Sequence, residues 1–165
     1  MTLIALTKPQ GHHADLLLGR NGRLLPAVLR LRPDLIAYSA TSADIALFSA
    51  EDKELVGWFQ QHHLSIPFRI MGGPHPTSYP SVLEELNLDA ICIGEGDLAF
   101  PAVLNVLSAG GQPQNIPNLM TRGQSLKPEL QLVQNMESGP MPDHGGYPGN
   151  PDRAGLFIHW TLCEK

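Results

Sequence analysis

The chain has 165 residues, 42% of them apolar and 16% charged, which suffices for one domain with a core of its own. Its net charge of −5 offers no basic surface to nucleic acid, and no apolar run approaches the ~18 residues of a membrane span. The N-terminus lacks the pattern of a secretory signal, and two cysteines, Cys92 and Cys163, are too few for a disulfide scaffold, so a reducing, cytoplasmic setting is expected.

Four short apolar runs read as strands in chain order: "LIALT" (3–7), "LIAYS" (35–39), "FRIMG" (68–72) and "AICIG" (90–94). They are continuous rather than alternating, as strands buried on both faces of a parallel sheet should be. Helical stretches separate them. "NGRLLPAVLRLR" places Leu24, Val28 and Leu31 at helical spacing, with Pro26 implying a late start or a kink. "SAEDKELVGWFQQHH" reads as a helix capped by Ser49, with acidic residues in its first turn and a stripe of Leu55, Trp58 and Phe59. "YPSVLEEL" has Pro80 suited to a first turn, and "DLAFPAVLNVLSAGG" ends in glycines suited to a C-cap. The alternation predicts a Rossmann-like or flavodoxin-like parallel sheet with flanking helices over residues 1–109. Gly- and Pro-rich punctuation then predicts an extended linker over 110–155, followed by a strand-like run, "GLFIHWTL".

In such sheets ligands sit beyond the carboxyl ends of the strands. Three loops fall there: "YSATSAD", "MGGPHPTSYP" and "IGEGDLAF". Gly72 and Gly73 leave room for a bulky group, and Pro74 and Pro76 stiffen the path that follows. Ser39, Thr41 and Ser42 offer hydroxyls, while Gly94 and Gly96 flank Glu95, a hydrogen-bond acceptor. The pattern implies a bulky ligand with many neutral polar groups, since GxxxxGK[ST] and clustered cations are absent. Blander readings stand beside it: a Gly-Gly is commonly a tight turn, "GEG" a simple strand-to-helix turn, and His75 a packed or solvated loop histidine. His62 and His63 read as a helix end and His12 and His13 as a solvated loop. No catalytic constellation is evident at any spacing.

"RPDLIAYSATS", "MGGPHPT" and "LDAICIGEGDLAFPAVLNVL" together resemble the cobalamin-binding domain of B12-dependent radical SAM enzymes. "IPNLMTR" and "GPMPD" resemble segments that follow that domain, so the likeness covers about residues 20–143. The resemblance implies that Gly72, Gly73, Pro74, His75, Pro76 and Thr77 cradle the nucleotide tail of a corrinoid. It implies that Ser39, Thr41 and Ser42 meet the corrin amides and that Gly94, Glu95 and Gly96 complete the tail's wall. It further implies a radical SAM barrel in cis, with S-adenosylmethionine and a [4Fe-4S] cluster, opening at 156–165 with Cys163 as a possible first cluster ligand.

Two departures accompany the likeness. The "DxHxxG" of other B12 domains is missing, so no histidine of this chain is expected on cobalt. The family's first strand and helix are also missing, which makes "TLIALT" its second strand and leaves an expected gap in the sheet. The sequence therefore reads as a non-catalytic fragment of a longer enzyme, of methyltransferase or related type. The alternatives are a flavodoxin-like module that binds a nucleotide or a protein without cobalamin, and a relative that has lost its ligand.

Overall fold

The computed structural model describes residues 2–7, 10–18, 24–124, 128–134 and 156–161. Along the chain run α1 (Thr2–Thr7), β1 (His13–Leu18), α2 (Leu24–Leu31), β2 (Leu35–Ser39), α3 (Ile45–Gln61) and β3 (Phe68–Gly72). Then come α4 (Pro74–Ser78), α5 (Val82–Glu85), β4 (Ala90–Cys92), α6 (Gly96–Ser108), β5 (Leu119–Thr121) and β6 (Leu156–Thr161). The strands form one sheet in the order β1-β6-β2-β3-β4-β5. β2, β3 and β4 are parallel, β5 is antiparallel to β4, and β6 is antiparallel to both β1 and β2. The fold is a Rossmann-like α/β sheet with helices on both faces.

Alternation along each strand divides the apolar residues between two cores. Ile36, Tyr38, Met71 and Ile91 join Phe48, Leu55 and Phe59 of α3 and Leu83 of α5. Leu35, Ala37, Ile70 and Ala90 pack on Phe100, Val103 and Leu104 of α6. Burial on both faces explains why these strands read as unbroken apolar runs. α6 ends as its sequence suggests: Gly110 takes φ +74°, its N–H bonds to Leu107 O at 2.9 Å and Gly111 N–H to Val106 O at 2.9 Å. That pairing is a Schellman motif, in which glycine avoids the left-handed penalty.

Several expectations are corrected. "LIALT" is helix α1, not a strand; it packs against α6, and Leu and Ala are strong helix formers. So short an apolar run fits either period. The strand is instead "HADLLL", and His12, expected in a solvated loop, is only 5% exposed. Both its ring nitrogens lack a partner, and burial lowers its pKa. α3 begins at Ile45, four residues before the predicted Ser49 cap, because Phe48 belongs to the core. The expected gap beside β2 is filled by β6, whose Trp160, Ile158 and Leu156 lie in register with Leu35, Ala37 and Ser39. Residues expected to open a barrel thus complete this sheet, and Leu119–Thr121, in the predicted linker, adds β5 to its other edge. Cys163 and residues 135–155 lie outside the described residues. Among the described residues no helix is long and apolar enough to cross a membrane.

The two acidic residues expected in the first turn of α3 are buried one turn later. Glu51 accepts from Leu24 N–H at 3.1 Å, and Asp52 accepts from Tyr38 Oη at 2.6 Å and Arg69 Nη1 at 2.7 Å. Arg69 and Asp52 are 4% and 5% exposed, and Arg69 also donates to Asn87 O at 2.7 Å. Burial pushes the Asp52 carboxyl up against the opposing pull of Arg69 and Tyr38, and burial together with Asp52 raises Tyr38 well above its usual value. Asp52→Ala should cost about 3–5 kcal/mol, because it strands a buried guanidinium. Urea unfolding checks this, and a loss below about 1 kcal/mol would mean that Arg69 finds water or another acceptor.

Candidate functional site

The carboxyl ends of β2, β3 and β4 lie side by side, and their loops are bonded into one rim. Ala40 N–H donates to Gly72 O at 2.9 Å, and His75 N–H donates back to Ala40 O at 3.0 Å. Ser42 Oγ and His75 Nδ1 lie 3.1 Å apart, joining the loop after β2 to that after β3. Thr77 Oγ1 donates to Gly73 O at 2.9 Å and accepts from Gly94 N–H at 3.0 Å, joining the second loop to the third. Thr41 donates to Asp44 Oδ2 through Oγ1 at 2.6 Å. Ser42 and His75 thus link "SATS" to "PHPT", Thr41 is held by Asp44 and Thr77 by Gly73 and Gly94, and Pro76 is buried.

Beneath the rim, between the sheet and α6, lies a cavity of about 450 Å³, within the range of small-molecule sites. Of the expected residues, Ser39, Gly72, Gly73, Gly94, Glu95 and Gly96 line it. Thr41, Ser42, Pro74, His75, Pro76 and Thr77 do not; they build the rim. Sequence reasoning missed Leu3, Cys92, Asp97 and Phe100, which also line the cavity. Period two carried part of the signal, since Ala37 and Ser39, Ile70 and Gly72, and Ala90 and Cys92 share one face. Phe100 follows Gly96 by one helical turn. Leu3 left no local signal, because α1 was read as a strand.

Two glycines expected to serve the same purpose differ. A Cβ at Gly72 would meet only Cys92 Cβ at 3.7 Å, so its missing side chain is room in the cavity. At Gly73 a Cβ would stand 2.8 Å from Ala40 O, and φ +101°, ψ −172° is a region open essentially to glycine alone. The missing side chain of Gly73 thus makes way for the backbone of the neighbouring loop, while Gly73 itself still lines the cavity.

The electrostatics are one-sided. Among the described residues, Glu95 and Asp97 line the cavity and no lysine or arginine does. Glu95 caps α6 with extended backbone (φ −80°, ψ 132°), and its Oε2 accepts from Val133 N–H at 2.7 Å. Cys92 Sγ–H points to Glu95 O at 3.6 Å, and burial, with the nearby Asp97 charge, pushes its thiol up to about 11. Among the described residues no group of three or more His, Cys, Asp or Glu could hold a metal ion. The one hydroxyl–imidazole pair of the site, Ser42 Oγ and His75 Nδ1, lies on the rim among the described residues, not on the cavity wall.

No family model matches the chain. Among curated proteins it is similar to an uncharacterised methyltransferase of Pyrococcus horikoshii, 28% identical over 132 residues that make up 77% of this chain and 28% of the relative. The chain therefore spans little more than a quarter of that protein's length.

Two measurements probe this geometry. Gly73→Ala should destabilise the fold by about 1–3 kcal/mol, whereas Gly72→Ala should be nearly neutral. Equal losses in chemical denaturation would contradict the assignment of the two glycines. In a Cys163→Ser background, Cys92 should resist iodoacetamide at pH 8–9 in the folded chain, because only the thiolate attacks. Its rate should climb as pH approaches about 11, whereas the unfolded chain should respond near its ordinary value of 9.0. A folded-state profile centred on 9 would place the thiol in solvent.

Proposed function

We propose that this domain binds a corrinoid, with the base and sugar of its nucleotide tail in the cavity between the sheet and α6 and the tail's phosphate outside it, within a methyltransferase-type radical SAM enzyme. The observation that carries the reading is the cavity itself, at the shared carboxyl edge of three parallel strands. Its walls narrow to Ala37, Ser39, Gly72 and Gly96, small residues that leave space for a flat base and sugar. The residues fit such a group chemically as well as sterically. Glu95 and Asp97 accept hydrogen bonds from hydroxyl or amide donors, and Ile70 and Phe100 give a heteroaromatic ring an apolar bed. The prebonded rim from Thr41 to Thr77 reduces the ordering cost of binding.

When bound, a corrinoid supplies the methyl group or radical partner, and this chain supplies seat and orientation. The relative's description as a methyltransferase supports that chemistry for the longer protein. S-adenosylmethionine, the [4Fe-4S] cluster and Cys163 as one of its ligands belong to the same proposal. A free nucleotide is less favoured, because its phosphates would face two carboxylates and, among the described residues, no cation.

Titrating the purified chain with hydroxocobalamin and following its absorbance after desalting tests the reading. Gly72→Val should retain the fold, since a Cβ there meets only ordinary contacts, yet lose cobalamin because its methyl groups fill the cavity. Retention by the folded variant equal to that of the unsubstituted chain would place the ligand elsewhere.

A further inference from the structure

The segment after β5 returns to the start of α6 and is tied down by two residues, Asn118 and Glu95. Asn118, 1% exposed and at φ +61°, uses all of its hydrogen-bonding groups. Its N–H donates to Glu129 O at 2.8 Å, and its carbonyl accepts from Ile93 N–H at 2.8 Å. Its side-chain amide clasps Gln131 from both sides, donating to Gln131 O at 2.7 Å and accepting from Gln131 N–H at 2.7 Å. The second Nδ2 proton goes to Glu95 O at 2.9 Å. One step along, Val133 N–H donates to Glu95 Oε2 at 2.7 Å. The strap 129–133 is thus held by Asn118 and, at its far end, by Glu95, the residue that both caps α6 and presents a carboxylate to the cavity.

The strap's leucines do not explain the docking, and only Val133 is partly buried. Leu130 and Leu132 are 63% and 73% exposed, so the strap buries neither of its large side chains. What holds it is directional, and the bond to the carboxylate is charge-assisted, the stronger kind. A glutamate on an exposed helix cap would otherwise sample several rotamers. With Oε2 fixed by Val133, the remaining carboxylate capacity is available in a set direction.

We propose that the strap 129–133 is the positioning device for Glu95 and that Glu95 selects ligands carrying neutral hydrogen-bond donors, carboxamides or hydroxyls. This deepens the corrinoid reading and in its ligand arm rests on it. Strap docking and cavity loading then assist each other: the docked strap holds Glu95 for the ligand, and the ligand holds Glu95 for the strap. By linkage the coupling is reciprocal. Asn118 and the Val133 amide act through Glu95 and touch no ligand themselves.

The decisive substitution is Val133→Pro, which removes the one N–H that reaches Glu95 Oε2 from a position outside every helix and strand. Val133→Ala keeps the N–H and serves as control. The first readout needs no ligand. Cys92 lines the cavity and its Sγ–H points to Glu95 O, so in the Cys163→Ser background its alkylation by iodoacetamide reports how firmly the Glu95 turn is held. Val133→Pro should speed alkylation about fivefold or more with unchanged circular dichroism, and Glu95→Ala should do the same. Acting through one bond, the two changes combined should be no faster than Glu95→Ala alone. A rate for Val133→Pro within about twofold of the control, or two effects that multiply, would overturn the proposal. The second readout uses hydroxocobalamin. It should slow exchange of the Gln131 amide in the unsubstituted chain, and Val133→Pro should weaken its binding about fivefold or more. Unaltered Gln131 exchange in a chain that has bound hydroxocobalamin would also overturn the proposal. Absence of any hydroxocobalamin binding would sink the corrinoid reading alone, and the thiol rates would still decide the strap.

Discussion

The backbone contact between Gly73 and Ala40 is the constraint on which the rest of the site depends. Two parallel strands end together, and the chain leaving β3 must pass within 2.8 Å of Ala40 O measured from where a Cβ would stand. Only a glycine in its extended, positive-φ conformation passes there. That passage lets His75 N–H reach Ala40 O and sets α4 over the strand ends, from which Thr77 reaches Gly94. Without the close approach the three loops would be separate turns, and the cavity below them would have no common rim.

The two faces of the sheet carry different loads. On the α3 face, Tyr38, Asp52 and Arg69 form a buried polar cluster that fixes α3 against β2 and β3. Such a cluster is costly to break from one side, which makes it a lock on geometry. On the α6 face the same strands carry Ala37, Ser39 and Gly72 toward their carboxyl ends, and the packing is left incomplete. Void space forfeits dispersion contacts, so a domain that keeps one must hold its strands by other means. The polar lock on one face and the antiparallel partners β5 and β6 on the sheet supply that support. Arg122 adds to it, donating to Leu88 O at 3.0 Å and 2.8 Å and so pinning the turn after β5 to the approach into β4.

Legibility in the sequence followed the physics of each segment. β2 and β3 were read to the residue, because strands buried on both faces leave long apolar runs bounded by Pro33 and Gly73. The convergence of three loops was legible from chain order alone. What escaped depends on contacts distant in sequence. α1 could not be told from a strand, since a run of four apolar residues satisfies both periods, and its position is set by α6 about ninety residues later. β6 takes its place from β1 and β2, and no local pattern announces that partnership. The different demands on Gly72 and Gly73 could not be separated either, because the two look identical until the neighbouring backbone is placed. Asn118 gave only the faint hint of an asparagine before a strand, where a left-handed residue is tolerated.

The charge of the cavity narrows what it can hold more sharply than its volume does. Two carboxylates line it, one of them, Glu95, already sharing an oxygen with Val133. An anionic ligand would bring like charge into a partly enclosed, low-dielectric space, where unit charges about 4 Å apart repel by about 4 kcal/mol at an effective dielectric of 20. A ligand with neutral donors meets the opposite situation, since each carboxylate oxygen accepts without needing a counterion. Any phosphate on such a ligand must therefore stay outside the cavity, toward solvent, while its base and sugar enter. That division suits a large amphiphilic molecule inserting one neutral arm, and it sets the strap-held Glu95 at the point where the arm is read.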